Sequence, residues 1–221
     1  MKKTHILLLI SFSLLALSPA YTQEDGKAGQ ILSRLSVKSE ALQPFRVTFD
    51  ITSINLQDKT QETTGGELLL DGKKYVLKNG NSEIYFDGTT LWNYLPDVNE
   101  VNILLPDPED NSFLARPQQL FSGYKDRFKF HFVGENSADG KKLWVVDLYP
   151  YNLQESYSRI RLQIDQATSL LHSARYFGKN GMHYLVVIRK IEHLKDISPA
   201  TFTFDPARHP GVEVIDLRDN N

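Results

Sequence analysis

Apolar and polar positions alternate through most of this 221-residue chain with the two-residue period of β-strands. The clearest run is 45–52, where Phe45, Val47, Phe49 and Ile51 point one way and Arg46, Thr48, Asp50 and Thr52 the other. Such a strand belongs to an antiparallel sheet with one solvated face. Gly65-Gly66, Asp71-Gly72 and Asn79-Gly80 follow at short spacing and read as turns between consecutive hairpins. The stretch from Asn81 to Leu105 reads as three short strands, with Asp87-Gly88 and Pro96-Asp97 as its turns. With a two-residue loop at Asp87-Gly88, Ile84, Phe86 and Leu91 share one face and leave Tyr85, Trp92 and Tyr94 on the other. A slip of one residue would reverse some of these assignments.

The second half repeats the pattern. Strands are expected at 128–133, 143–149, 159–164, 171–177 and 183–193, with turns at Ala138-Asp139-Gly140 and 178–181, and a last short strand in the tail. Two segments break the period of two. Ala28, Ile31, Leu32, Leu35 and Leu42 recur at helical spacing, and Pro44 ends that helix. Pro117 suits a first helical position, so a short helix is expected from about Pro117 to Tyr124, presenting Leu120 and Phe121 together. The sum is a mainly β (α+β) chain of ten or eleven strands and two helices, one antiparallel sheet curled into an open or closed barrel.

Composition narrows the setting. Lys2 and Lys3 precede an apolar run from Ile6 to Leu17 and then Ser18-Pro19-Ala20, the pattern of a secretory signal too short to span a bilayer. Residues 1–20 are therefore expected to be a cleaved signal, with retention as an anchor the alternative, and 21–221 a single exported domain without a lipid anchor. Cysteine is absent, which removes disulfides, thiol catalysis and thiolate metal sites. Formal net charge is -2, and loss of Lys2 and Lys3 would take it to -4, against a nucleic-acid partner.

Chemistry-bearing patterns are sparse. His131, His172, His183, His193 and His209 lack metal-ligand spacing, and no nucleophile elbow or phosphate-cradling glycine loop occurs. Asp107, Glu109, Asp110 and Asn111 cluster but lack the calcium-loop pattern, so they read as a solvated acidic loop. No catalytic residue, metal site or cofactor is expected. What stands out is an apolar and aromatic surplus on the strands. A thick core is one account; a hydrophobic hollow that accepts a lipid is the other.

The amphipathic helix leading into FRVTFDIT, then GELLLDGKKYVLK, IYFDGTTLWNYLPDVNEV and FTFDPARHPGVEVID, occur in this order across 28–216. In these pieces the chain resembles the LolA-like family of periplasmic lipoprotein carriers. The resemblance implies an unclosed half-barrel of about eleven strands, covered by the N-terminal and the short central helix. It implies a monomeric periplasmic carrier that takes triacylated lipoproteins from an inner-membrane lipoprotein-releasing ABC transporter and passes them to an outer-membrane acceptor. A sensor or store for another lipid or glycolipid is the alternative, and an esterase a more remote one. Where the family carries a lid-latching Arg-Pro, this chain has Asp71-Gly72. The expected cavity wall is Val47, Phe49, Ile51, Ile84, Phe86, Trp92, Tyr94, Ile160 and Leu162. The expected lid is Ile31, Leu32, Leu35, Phe113, Leu114, Leu120 and Phe121. A change such as Phe49→Glu is then expected to weaken capture of a lipidated substrate while leaving the fold largely intact.

Overall fold

The computed structural model describes residues 21–80, 82–108, 110 and 115–218, with side chains from residue 26 onward. The signal-like segment 1–20, Asn81, Glu109, Asn111 and the expected lid residues Phe113 and Leu114 lie outside the described residues.

One α-helix, α1 (Tyr21–Leu42), precedes twelve strands in a single sheet. In chain order these are β1 (Phe45–Asn55), β2 (Thr60–Asp71), β3 (Lys74–Asn79), β4 (Ser82–Phe86), β5 (Leu91–Leu95) and β6 (Glu100–Leu104). They continue with β7 (Phe128–Ala138), β8 (Lys141–Pro150), β9 (Tyr157–Asp165), β10 (Leu171–Gly178), β11 (Met182–His193) and β12 (Glu213–Asp216). The sheet runs β12-β6-β5-β4-β3-β2-β1-β11-β10-β9-β8-β7 and does not close into a barrel. β1 is its hinge line, since it pairs with β2 on one side and with β11 on the other. Every pairing is antiparallel but one: β12 lies parallel to β6, brought there by the returning tail. This makes twelve strands where the sequence pattern counts ten or eleven.

The register explains the alternation read in β1. Phe45, Val47 and Phe49 are buried on the inner face, beneath α1, while Thr48 is exposed on the outer one. Gly65-Gly66 is not the turn its composition suggests. Both glycines lie inside β2, and Gly66 pairs with Phe49. A Cβ on Gly66 would sit 2.4 Å from Phe49 Cζ, so the glycine makes room for the Phe49 ring. The turn falls instead at residues 56–59. Gly72 and Gly80, both at positive φ, do turn the chain between β2, β3 and β4.

In the meander, Phe86 pairs with Leu91 and Tyr85 with Trp92, leaving a four-residue loop rather than two. Asp87 holds it by accepting hydrogen bonds from the Thr89 and Thr90 amides, each 2.9 Å. Two additional loop residues preserve parity, so the expected faces hold: Ile84, Phe86 and Leu91 inward, Tyr85, Trp92 and Tyr94 outward.

The inner face of β1, β2 and β7–β11 is filled. Ala28, Ile31, Leu32 and Leu35 of α1 pack, fully buried, into one cluster with Val47, Phe49, Leu68, Ile160 and Leu162. α1 comes close to β7 at Gly29, where a Cβ would stand 3.3 Å from the Phe130 ring. The outer face of β2–β6 is covered by the tail: Phe202 packs on Leu69 and Val76, and Phe204 on Tyr94 and Val101. The outer face of β7–β11 has no described segment across it.

Candidate functional site

The inner face changes character past β2. From β3 to β6 it carries Tyr75, Ile84, Phe86, Leu91 and Leu104, and no helix fills the space above them. The connection from β6 to β7 passes over this area and leaves a cavity of about 700 Å³. Leu105, Pro106, Ala115, Gln118 and Gln119 form the far wall, with Lys73, Asp107, Asp110, Arg116 and Arg127 as its charged groups. The composition is that of an amphiphile site: an apolar floor and a few polar groups at the margin.

The crossing segment is not the helix expected over 117–124. It contains a single 3-10 turn, Pro117–Leu120, in which the Phe121 amide donates to Gln118 O at 3.0 Å. Gly123 at positive φ then diverts the chain. Leu120 and Phe121 are both buried, as their expected pairing requires, with the Phe121 ring edge-on to Phe45 at 5.2 Å. They anchor the segment to the packed core and do not line the cavity.

Polar ties hold the remainder. The Tyr75 hydroxyl donates to Ala115 O at 2.8 Å. Burial pushes this phenol well above its ordinary range, so it stays protonated and able to donate. Arg116 donates to the carbonyls of Asp107 and Pro108 at 2.9 and 2.7 Å. Arg127 donates to Gly123 O at 3.0 Å, to Gln119 O at 3.2 Å and to Ser122 O at 3.3 Å, and also bonds the Gln119 side chain. At Asp71-Gly72, where the resemblance places an Arg-Pro latch, the Gly72 amide instead donates to Gln43 Oε1 at 2.6 Å, just beyond α1.

Of the expected wall, Ile84 and Phe86 line the cavity. Val47, Phe49, Ile160 and Leu162 lie in the packed cluster, and Ile51 is partly buried against it. Trp92 and Tyr94 belong to the other side of the sheet, where the tail covers them. Ile31, Leu32 and Leu35 of the expected lid are core residues of α1. Tyr75, Leu91, Leu104, Arg116 and Arg127 were not singled out as site residues. Leu91 shares a face with Ile84 and Phe86 in the sequence pattern, which was the signal available; the two arginines sit in irregular chain with no period to mark them. Among the described residues no group of His, Asp and Glu could hold a metal ion, and no helix is long and apolar enough to cross a membrane.

Comparison with known proteins follows the same lines. No curated protein matches the sequence significantly. A Thermus thermophilus protein of solved structure superimposes with a TM-score of 0.54 at 12% identity, covering 86% of this chain and 99% of that one. A domain from Vibrio parahaemolyticus, assigned to outer-membrane lipoprotein sorting, gives 0.50 at 11% identity over 81% and 97%. A LolA superfamily protein from Nitrosomonas europaea gives 0.45 at 14% identity over 80% and 98%. Residues 76–203, more than half of the chain, match the model of a family described as "-like: Uncharacterized protein". The chain belongs to that family, and its fold, an open antiparallel sheet wrapped around one helix among the described residues, is the one it shares with the Thermus thermophilus and Vibrio parahaemolyticus structures.

Proposed function

We propose that the protein is a periplasmic carrier that takes the acyl chains of lipoproteins into the cavity beneath residues 105–123 and moves them from the inner to the outer membrane. One observation carries this reading. An apolar hollow of about 700 Å³ stands open against the inner face of β3–β6, roofed by a segment that Leu120 and Phe121 anchor at one end and that hydrogen bonds of Tyr75, Arg116 and Arg127 hold elsewhere. A roof of that kind can be displaced without taking the core apart. On this reading residues 1–20 are an export signal that is removed, and 21–221 form the carrier domain. An inner-membrane lipoprotein-releasing ABC transporter supplies the cargo, and an outer-membrane acceptor receives it.

Magnitudes constrain the mechanism. An acyl chain of about 16 carbons, at roughly 0.8 kcal/mol per methylene, represents about 13 kcal/mol of gross burial. Transfer onward requires that part of this gain be offset by the cost of displacing the roof. If a methylene takes about the 30 Å³ of a liquid water, one such chain fills roughly 480 Å³ and three fill about 1,400 Å³. The cavity as it stands therefore suits one chain, and a triacylated cargo needs the roof residues 105–108 and 115–119 to swing outward. The same volume favours a second reading, a carrier or sensor for a single-chain lipid or glycolipid.

The test substitutes the floor. Ile84→Glu places a carboxylate in the hollow and should weaken uptake of a fluorescent fatty acid, and release of lipoprotein from inner-membrane vesicles, at least tenfold. The melting temperature should move little, because Ile84 already borders space. Unchanged uptake in a folded Ile84→Glu protein overturns the cavity reading. Fatty-acid uptake lost with lipoprotein release untouched would favour the second.

A further inference from the structure

One end of the sheet gathers three connections away from the cavity floor: the β1–β2 turn (56–59), the β8–β9 loop (151–156) and the β10–β11 turn (179–181). They are tied to one another. The Lys179 amide donates to Ser156 O at 2.9 Å and its ammonium to Leu153 O, while the Leu56 amide donates to Gly181 O at 3.0 Å. Large apolar side chains stand clear of these tied loops: Leu153 is 76% exposed, Tyr151 61% and Leu56 50%. Isolated apolar residues on a surface need no explanation. Three on loops bonded to one another do.

Cations lie next to them on the outer face. Asp147, buried in β8, takes two hydrogen bonds from Arg161 at 2.7 and 2.8 Å and one from Arg159 at 2.9 Å, so one carboxylate serves two guanidinium groups. Arg175 stands opposite Arg161 in the ladder and, among the described residues, makes no ion pair. Its Nη2 meets His183 Nδ1 at 3.4 Å, its guanidinium lies 5.2 Å from the Phe177 ring centroid, and its Nε is buried without a hydrogen-bond partner. Lys59 and Lys179 add charge on the turns, against Asp58 and Glu155. This cationic end belongs to a chain whose formal net charge is -2.

We propose that this end of the sheet is a docking surface for an anionic phospholipid bilayer, with Leu153 and Tyr151 entering the headgroup layer and Arg175, Arg159 and Lys179 meeting the phosphates. Apolar tips beside a basic collar are what interfacial binding rewards, and tyrosine favours that depth. Guanidinium groups suit phosphate oxygens in particular. An acidic protein partner would account for the arginines but not for leucine and tyrosine held out on the loops. The inference does not depend on what the cavity holds.

The test sediments residues 21–221, which contain every described element, with two kinds of vesicle: phosphatidylglycerol mixed with phosphatidylethanolamine, and phosphatidylcholine alone. Binding to the anionic vesicles, released by salt, is expected. Leu153→Asp should lower the partition coefficient roughly tenfold and Arg175→Gln roughly fivefold, both with unchanged melting, while Ile84→Glu should bind like the wild type. Equal binding to both kinds of vesicle, no binding at all, or full binding by Leu153→Asp overturns the proposal. Loss in Ile84→Glu alone would place the membrane contact at the cavity, and overturns it as well.

Discussion

Beneath α1 the inner face of the sheet is filled, and beneath the β6–β7 connection it is not. The two regions use the same kind of strand and the same apolar side chains. What differs is the covering element. α1 presents Ala28, Ile31, Leu32 and Leu35 on one stripe, and the sheet answers with Phe45, Val47, Phe49, Leu148 and Leu162, all buried. The 105–123 segment carries three prolines and, among its described residues, a single 3-10 turn; the Tyr75 hydroxyl and the buried Leu120–Phe121 pair tie it to the sheet, while Arg116 and Arg127 bond back to its own carbonyls. A regular helix fills a trough; an irregular strap bridges one. The hollow is therefore a property of what crosses the sheet, not of the sheet itself.

The sharpest break of this comparison is a matched pair of truncations. Phe49→Ala, in the filled region, should cost about 3–5 kcal/mol of unfolding free energy. Ile84→Ala, on the cavity floor, should cost less than about 1.5 kcal/mol, because its removal enlarges an existing space and buries no new void. Urea titrations of both variants measure the difference, and equal costs would erase the distinction between the regions. By the same logic Phe49→Glu, which the sequence pattern suggests as a probe of lipid capture, is a folding mutation: it would set an unpaired carboxylate inside the core. A smaller effect separates the roof from the floor. Tyr75→Phe removes the hydrogen bond to Ala115 and should cost about 1 kcal/mol, together with faster proteolytic cleavage within 105–116. Unchanged cleavage would assign the roof's hold to Arg116, Arg127 and the Leu120–Phe121 anchor.

The smallest expected effect is on pH, and it falls on the strands that continue the filled region. Burial holds His172 below its ordinary value of 6.5. His183 is lowered too, by burial first and then by Arg175 and Arg159. As pH falls through that range the unfolded chain takes up these protons before the folded one does, so stability is present above it and declines below it. Urea midpoints at pH 7.5 and 5.5 should show the decline, and His183→Asn should reduce it.

Most of the fold was legible because period-two alternation marks one-sided strands without reference to anything distant. Arg159, Ile160, Arg161 and Leu162 alternate in sequence as they do in β9. Parity even absorbed a mistaken loop length at Asp87-Gly88, since two extra residues return each side chain to its face. The failures share a physical source. Gly65-Gly66 answers to Phe49 across the strand pair, a partner fixed only by register. Val47 and Phe49 were expected at a cavity because they are apolar and inward, but apolar and inward describes a filled core equally well. Trp92 and Tyr94 were expected at the same wall despite facing outward, where Phe204 of a distant segment covers them. Whether a wall borders space depends on the volume of whatever crosses it, and no local pattern encodes that.

β12 has a consequence for the company the protein keeps. By laying four residues alongside β6, with the Glu213 amide on Asn99 O and the Leu217 amide on Ile103 O, the tail occupies the margin of the sheet nearest the hollow. An uncovered β6 margin would be a template on which another chain's strand could grow, next to the hollow. The tail therefore works as a selvedge: it replaces the margin of β6 with a four-residue hem, Glu213–Asp216, too short and too acidic to be stitched readily to a neighbour.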